Sequence, residues 1–482
     1  MVLMTSTACN SALQRVGLGG LARRIVATPY VPLDEPTPTP VPTNFSTAAL
    51  VKLRSKLRVG IRFDAPPLAS INKAGEVEGL EVDLVREMAR RWLGSAEKNI
   101  EFVQVTSLSA PRRIKNRELD LALGGLTISR VAEAEADFSI PYYTDGEAVL
   151  VRTNTYADFA SMAQKDIIYI DGQSLPALSA GQIAANITVT FHSEVSYANA
   201  VQALLDGRTD GVLGRWRRFR VLAQRDPAFQ VLAPLSQEPV AIMLPHNDSQ
   251  WADLVNLTLS AMIADGFYAK AHQKWFGVAP EPIQTIAPAQ PPTLAQLANE
   301  LPQRNTLARI KNTNSVRIGY IAQSGAQAVL AAMGADGQPT GYEIDVTRNI
   351  AQLLQPGSAI SFVPLQTSQL AQALAAGSVD LAVGAISRNS ANELTIDTST
   401  LLFRVSEPLV QANPTSPLAP FQGSAYVIAL PTNDSVLRDA VNSGLAAMRS
   451  DGTLETIQSQ WFAGGSTGLH HADFGRSPGR RR

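Results

Sequence analysis

Two stretches of this chain have the residue types to hold a small polar molecule. Gly124-Gly125-Leu126-Thr127 follows the apolar run Leu121-Ala122-Leu123. At the end of a strand, backbone N–H and C=O groups can meet a ligand, and glycine lets it come close. The same glycines would also serve a tight turn. Gly172-Gln173-Ser174 stands before a helical pattern. Its N–H groups and the Ser174 hydroxyl could hold an anion at the helix N-terminus, or Ser174 could be a plain N-cap. Covalent chemistry is less well provided for. Asp64, Glu81 and Asp145 are carboxylates without a paired acid–base constellation. The five histidines show no His-x-Glu or His-Glu-x-x-His spacing. A single cysteine, Cys9, excludes an intramolecular disulfide framework and a Cys-based metal cage. Neither a metal nor a cofactor is expected. A net charge of −1 gives no global attraction to nucleic acid.

The elements that must position these stretches occur twice. Leu57-Arg58-Val59-Gly60-Ile61 returns as Val316-Arg317-Ile318-Gly319-Tyr320, and Gly79-Leu80-Glu81-Val82-Asp83 as Gly341-Tyr342-Glu343-Ile344-Asp345. Asp120-Leu121-Ala122-Leu123-Gly124 returns as Asp380-Leu381-Ala382-Val383-Gly384, and Ile128-Ser129-Arg130 as Ile386-Ser387-Arg388. Later, Asn247-Asp248-Ser249 matches Asn433-Asp434-Ser435, and Trp275-Phe276 matches Trp461-Phe462. One order over most of both copies indicates a duplicated domain, not a short-period solenoid. The spacing also shows a loss. Asn154 to Pro245 is 91 residues, but Asn413 to Pro431 is 18, so about 73 contiguous residues, corresponding to 155–228, are missing from the second copy.

Within the first copy the pattern alternates: strand 57–62, helix 82–92, strand 100–105, helix 111–117, strand 120–124 and strand 148–152. Such alternation predicts an α/β fold with a mainly parallel sheet. Residues 153–239 carry an α/β pattern of their own, with strands at 167–170, 187–191 and 211–213 and helices at 175–185 and 197–205. A second sheet inserted into the first makes a two-lobed domain. Arg215, Arg217, Arg218 and Arg220 read as the solvated side of a helix whose Trp216 and Phe219 face the core.

At the N-terminus, Ser6-Thr7-Ala8-Cys9 resembles a bacterial lipobox, although only eight residues precede Cys9, too few for a signal peptide. Either the start lies further upstream or Cys9 is an incidental thiol. The Pro/Thr tract 36–43 would be an extended spacer, which favours a lipid-anchored domain. The boundaries expected are a signal remnant and linker over 1–45 and a solute-binding domain over 46–280. Its first lobe is expected from 46–152 and 240–280, and its second from 153–239. A Pro-rich linker, 281–293, leads to a partial copy over 294–463 and a tail, 464–482, expected to be disordered. No run of about 20 apolar residues exists to cross a membrane.

Seven fragments in order carry a family resemblance: Leu57-Arg-Val-Gly60, Asp64-Ala-Pro-Pro67, Gly79-Leu-Glu-Val-Asp83, Glu118-Leu-Asp-Leu-Ala122, Gly124-Gly-Leu-Thr-Ile128, Asp137-Phe-Ser-Ile-Pro-Tyr-Tyr143, and Asp265-Gly266 with Trp275-Phe276. Over about 220 residues the first copy resembles the family 3 extracellular solute-binding proteins, amino-acid receptors of ABC transporters. More distantly it is similar to the ligand-binding core of ionotropic glutamate receptors. The resemblance implies a two-lobed type 2 periplasmic-binding (Venus-flytrap) domain, followed in this chain by a second, single-lobe partial copy. Together with the residue reading it gives a candidate ligand set of Asp64, Gly125, Thr127, Arg130, Ser174 and Arg215, in which two positions depart from the family pattern. Members bind the ligand carboxylate with an arginine five residues after the motif threonine, and from Thr127 that position is Ala132. Arg130 either replaces it as an anion clamp or, like Arg388, is an inherited loop residue. The family's acidic anchor for the ligand amine, counted from Asp210, falls on Arg215. Were both arginines to face the cleft, the ligand would be anionic. Leu68 also stands where an aromatic ring often covers the ligand.

The function implied is an extracytoplasmic solute-binding protein of an ABC importer, periplasmic or at the cell surface. It would bind an amino acid or related small polar or anionic solute by lobe closure and deliver it to a permease. The membrane would be reached through a lipid on Cys9. The alternatives are a sensory or structural module with a degenerated cleft, and a dehydratase-like enzyme on the same fold. A single lobe leaves a polar solute mostly in water, so the second copy is not expected to bind one by closure. Its exposed former cleft face is a candidate docking surface for the first copy, a permease or another chain.

Overall fold

The duplicated motifs fold into duplicated sheets. A computed structural model describes residues 45–470 apart from 96–97, 171–187, 195–196, 284, 303, 406–424 and 463–468. In the first copy the strand order is Ile100–Gln104, Leu57–Ile61, Leu121–Leu123, Met243–Leu244, Asp137–Phe138. The second copy repeats it as Ala359–Pro364, Ser315–Tyr320, Leu381–Val383, Ala429–Leu430, Asp397–Thr398. In both, the first three strands are parallel and the fourth runs against its neighbours.

Buried polar contacts explain why the motifs persist in both copies. Gly79 and Gly341 sit at φ 138° and 133°. A Cβ there would lie 2.1 and 2.4 Å from the carbonyl oxygens of Leu68 and Leu330, so only glycine can open the following helix. Asp83 accepts the Trp275 indole N–H at 2.7 Å, and Asp345 that of Trp461 at 2.8 Å. Asp120 and Asp380 accept the N–H of Arg58 and Arg317, each at 2.7 Å, and pair with Arg54 and Arg309. A buried donor left without its acceptor costs about 1–3 kcal/mol. The repeated letters thus record structural pins.

The second lobe is a sheet ordered Thr190–Glu194, Asp166–Ile170, Gly211–Arg215, Glu147–Arg152, Phe229–Val231. The expected first-lobe segment 148–152 therefore lies in the second sheet, where Glu147–Arg152 runs antiparallel to both neighbours. The chain crosses between lobes at Tyr143–Asp145 and returns at Glu238–Val240, and these strands pair antiparallel as a hinge. The strand expected at 187–191 is Thr190–Glu194, and the helix expected at 175–185 lies outside the described residues. In the second copy the matching strands, Phe403–Val405 and Ala425–Tyr426, also pair. Only residues 406–424 separate them, too few for a lobe. Leu469–His470 adds a strand to Phe403–Val405, inside the tail that composition assigned to disorder.

The Pro-rich connection is not a free spacer. Its Ile286 is buried in the first copy's core, with its N–H donating to Ser260 Oγ at 3.1 Å, and Leu294 and Leu297, expected to open the second copy, are buried in that same core. The repeat proper restarts at the helix Thr306–Thr313, whose Thr306 N–H reaches Asp434 at 2.8 Å just as the Thr47 N–H reaches Asp248 at 2.5 Å.

The copies meet across a local pseudo-twofold built from one repeated motif. The Asn247 N–H donates to Ser435 Oγ and the Ser435 N–H to Asn247 Oδ1, both at 2.9 Å. Reciprocally, the Ser249 N–H donates to Asn433 Oδ1 at 2.9 Å and the Asn433 N–H to Ser249 Oγ at 2.8 Å. The serine hydroxyls then donate across the seam, Ser249 to Asp397 at 2.9 Å and Ser435 to Asp137 at 2.8 Å. Both asparagines are left-handed, φ 57° and 59°, a conformation asparagine tolerates better than alanine. Asn247→Ala and Asn433→Ala should each cost about 1–3 kcal/mol in urea unfolding, by similar amounts. A loss below about 0.5 kcal/mol, the range of an ordinary surface change, would contradict this seam.

Candidate functional site

The lobes of the first copy face each other across the hinge, and the floor of the cleft is a buried charge cluster. The loop after Leu121–Leu123 is shaped by two glycines. Gly124 has φ 118°, and a Cβ there would lie 2.4 Å from Arg62 Cβ. Gly125 has φ 66°, and a Cβ would lie 3.2–3.3 Å from Leu68 Cδ1 and the Arg217 guanidinium. The Gly125 N–H donates to Glu81 Oε1 at 2.9 Å, and the Tyr142 hydroxyl donates to the same oxygen at 2.5 Å. The N–H that the sequence offered to a ligand is thus held by Glu81. What Gly125 contributes is room. Thr127 is half-buried and bridges Val240 on the hinge.

Burial pushes the Glu81 carboxyl above its usual range, opposed by the hydrogen bonds from Tyr142 and Gly125 and by the nearby Arg217 charge. Its other oxygen is buried without a partner among the described residues. Glu343 repeats the arrangement, accepting from the N–H groups of Gly384 at 2.7 Å and Ala385 at 2.9 Å. Retention in a copy without a second lobe marks this carboxylate as a loop anchor.

Arg217 is the residue that sequence reasoning missed. It lies in the first turn of the helix Trp216–Arg225, is 5% exposed and is paired with Asp145 on the hinge strand. Asp145 also accepts the Arg217 N–H at 3.1 Å. Burial lowers the guanidinium to about 10, while Glu81 opposes that shift. The expected solvated arginine face is therefore corrected at Arg217, although Phe219 is buried as expected. Arg220 lies over the Trp216 ring at 4.7 Å. Arg215 is paired with Glu238 on the returning hinge strand, so as the sequence's anion clamp it already has a carboxylate. Nothing in the local sequence singles out Arg217, because its partner is 72 residues away.

The other candidates fall elsewhere. Asp64 opens the short strand Asp64–Ala65, paired with Ala69–Ile71. Arg130 opens the helix Arg130–Glu133, and its counterpart Arg388 pairs with Glu393 at 2.8 Å. Ser174 and Cys9 lie outside the described residues. Asp137, His246 and Asp439 could bring metal-ligating atoms within 4.8 Å of one another, but Arg438 already holds Asp137. No helix among the described residues is long and apolar enough to cross a membrane.

Two α/β lobes on a paired hinge make the first copy a type 2 periplasmic-binding fold. The chain belongs to the bacterial extracellular solute-binding proteins, family 3, whose family model matches residues 57–278 and again 321–464. It is 30% identical over 209 residues to a glutamine-binding protein of Geobacillus stearothermophilus, covering 43% of this chain and 78% of that one. It is 26% identical over 236 residues to the ABC transporter glutamine-binding protein GlnH of Bacillus subtilis, covering 48% and 84%. The ABC transporter arginine-binding protein 1 of Escherichia coli is 25% identical over 227 residues, covering 46% and 90%. Among solved structures, an ancestral cationic amino acid solute-binding protein matches 48% of this chain and 100% of its own at 26% identity and TM-score 0.43.

The buried loop anchor gives a pH dependence. Burial lifts Glu343 from 4.5 to about 7, so its contribution to stability is present below 4.5 and lost as pH rises through about 7. The variant Glu343→Gln should therefore lose less stability than wild type over that interval in denaturant titrations. Parallel curves would contradict the assignment.

Proposed function

We propose that the first copy is the solute receptor of an ABC importer, closing its two lobes over an amino acid or related small polar solute. The second copy is a docked lobe that takes no solute by closure. The observation that carries this reading is the interlobe cluster of Glu81, Asp145 and Arg217 beside Gly125, set where the paired hinge lets the second sheet turn toward the first. Arg217 stands beside Gly125, held by Asp145 of the hinge and next to the Glu81 carboxyl, and a guanidinium fixed at the floor in this way supports a solute bearing a carboxylate. Delivery to a permease, an extracytoplasmic setting and a lipid on Cys9, with tract 36–43 as spacer, belong to the same proposal. The similar receptors carry different solutes in their names, so the solute is assigned as a class and not as one compound.

A thermal-denaturation screen of the whole chain against amino acids, organic acids and phosphorylated metabolites tests this. A true solute stabilises by ~2.7 kcal/mol at about a hundredfold excess over Kd. Arg217→Ala should weaken it at least about tenfold, since a buried charged contact is worth more than ~1.4 kcal/mol. A panel with no stabilising member would contradict the receptor reading.

A further inference from the structure

The seam between the copies holds a partly open cavity of about 570 Å³. None of Glu81, Gly125, Asp145 or Arg217 lines it, so it is separate from the cleft. One wall is the hinge residues Glu238 and Pro239 of the first copy, and the opposite wall is residues 398–401 with Arg438 of the second. Ile140, Phe138 and Leu401 give it apolar surface.

Its charges do not balance. Glu238 has Arg215, and Glu393 has Arg388. Arg438 is left to serve three carboxylates: it is bonded to Asp137, 3.5 Å from Asp439 and 3.9 Å from Asp397. His246 stands 3.4 Å from Asp137 and 4.0 Å from Asp439. Outside the lining lies a further buried carboxylate, Asp253, 7% exposed. The charges acting on it are those of Glu393, Asp397, Arg388 and Asp248. Glu133 and Arg449 complete the charged lining.

The pseudo-twofold shows which cation is lacking. The operation that exchanges Ser249 and Ser435 carries Asp439 onto Asp253 and Arg438 onto Ala252. One half of the seam has a guanidinium, and the other has a methyl group that lines open volume. Burial lifts Asp397 to about 7 and Asp439 to about 6, and Asp253 is raised well above its usual range. Buried carboxylates short of a counter-charge take up either protons or an external cation.

We propose that the seam cavity binds a small organic cation, an aliphatic amine with a body of a few carbons. Its ammonium lies against Asp397 on the side where Ala252 leaves the arginine's place open, and its carbons lie along Ile140 and Leu401. Charge complementarity selects the amine over a neutral or anionic molecule of equal length. Because protons compete for the same carboxylates, affinity falls as pH is lowered.

Calorimetric titration of the whole chain with putrescine, against 1,4-butanediol and succinate of similar length, tests the proposal. Saturable binding is expected for putrescine alone, weakening at least about tenfold as pH falls from above to well below about 7. Asp397→Asn should weaken it by a similar factor. Ala252→Arg, which supplies the guanidinium from the chain, should abolish it, and decides the matter should Asp397→Asn fail to fold. The cleft variant Arg217→Ala should bind putrescine as wild type does, which separates this site from the solute cleft. Putrescine binding no better than butanediol, or equal in wild type and both seam variants, would overturn the proposal.

Discussion

The arrangement of this protein depends on two buried turns that satisfy each other. Asn247-Asp248-Ser249 and Asn433-Asp434-Ser435 each begin a long helix, where backbone N–H groups lack partners within the helix. In each turn the aspartate caps its own helix, while the asparagine and serine exchange hydrogen bonds with the other copy. Separation would leave these N–H groups to find water, beside Asp137 and Asp397, each of which also accepts a serine hydroxyl from the opposite copy. A lobe that lost its partner lobe within its own copy is thereby given a partner in the other copy. This accounts for a complete five-stranded sheet in a copy whose hinge strands are separated by residues 406–424 alone.

The same constraint fits the proposed division of labour. Solute capture by closure requires two lobes that move about a hinge, and among the described residues only the first copy has both. There the hinge strands Tyr143–Asp145 and Glu238–Val240 each hold an arginine of the second lobe, Asp145 binding Arg217 and Glu238 binding Arg215. The hinge therefore carries the second lobe by charge as well as by backbone pairing. Glu81 fixes the glycine loop that receives Arg217 from the other side, so the cleft floor is organised before any solute arrives.

Much of this was legible in the sequence because it rests on order and spacing. The repeated motifs mark the two sheets, and the shortfall of about 73 residues marks the missing lobe. The hinge was misplaced because the apolar run Glu147–Arg152 reads as a strand in whichever sheet receives it. Ile286 follows no period among prolines, so it read as linker, and Leu294 and Leu297 read as the start of the second copy although both pack on the first. Arg217 escaped notice because helical periodicity groups it with solvated arginines, while its partner Asp145 is distant in sequence. The seam was invisible for a related reason: Asn-Asp-Ser is the composition of an exposed turn, and only its pairing with another such turn buries it.

A first copy that closes on a fixed second copy is tested most directly by distances between spin labels at exposed positions, with Cys9 replaced by serine. One pair joins Lys73 in the first lobe to Asp158 in the second, and another joins Lys73 to Asp336 in the second copy. On addition of the stabilising solute, the Lys73–Asp158 distance should shorten while the Lys73–Asp336 distribution stays narrow and unchanged. An unchanged Lys73–Asp158 distance, or a Lys73–Asp336 distance that is broad or shifts with solute, would contradict the account.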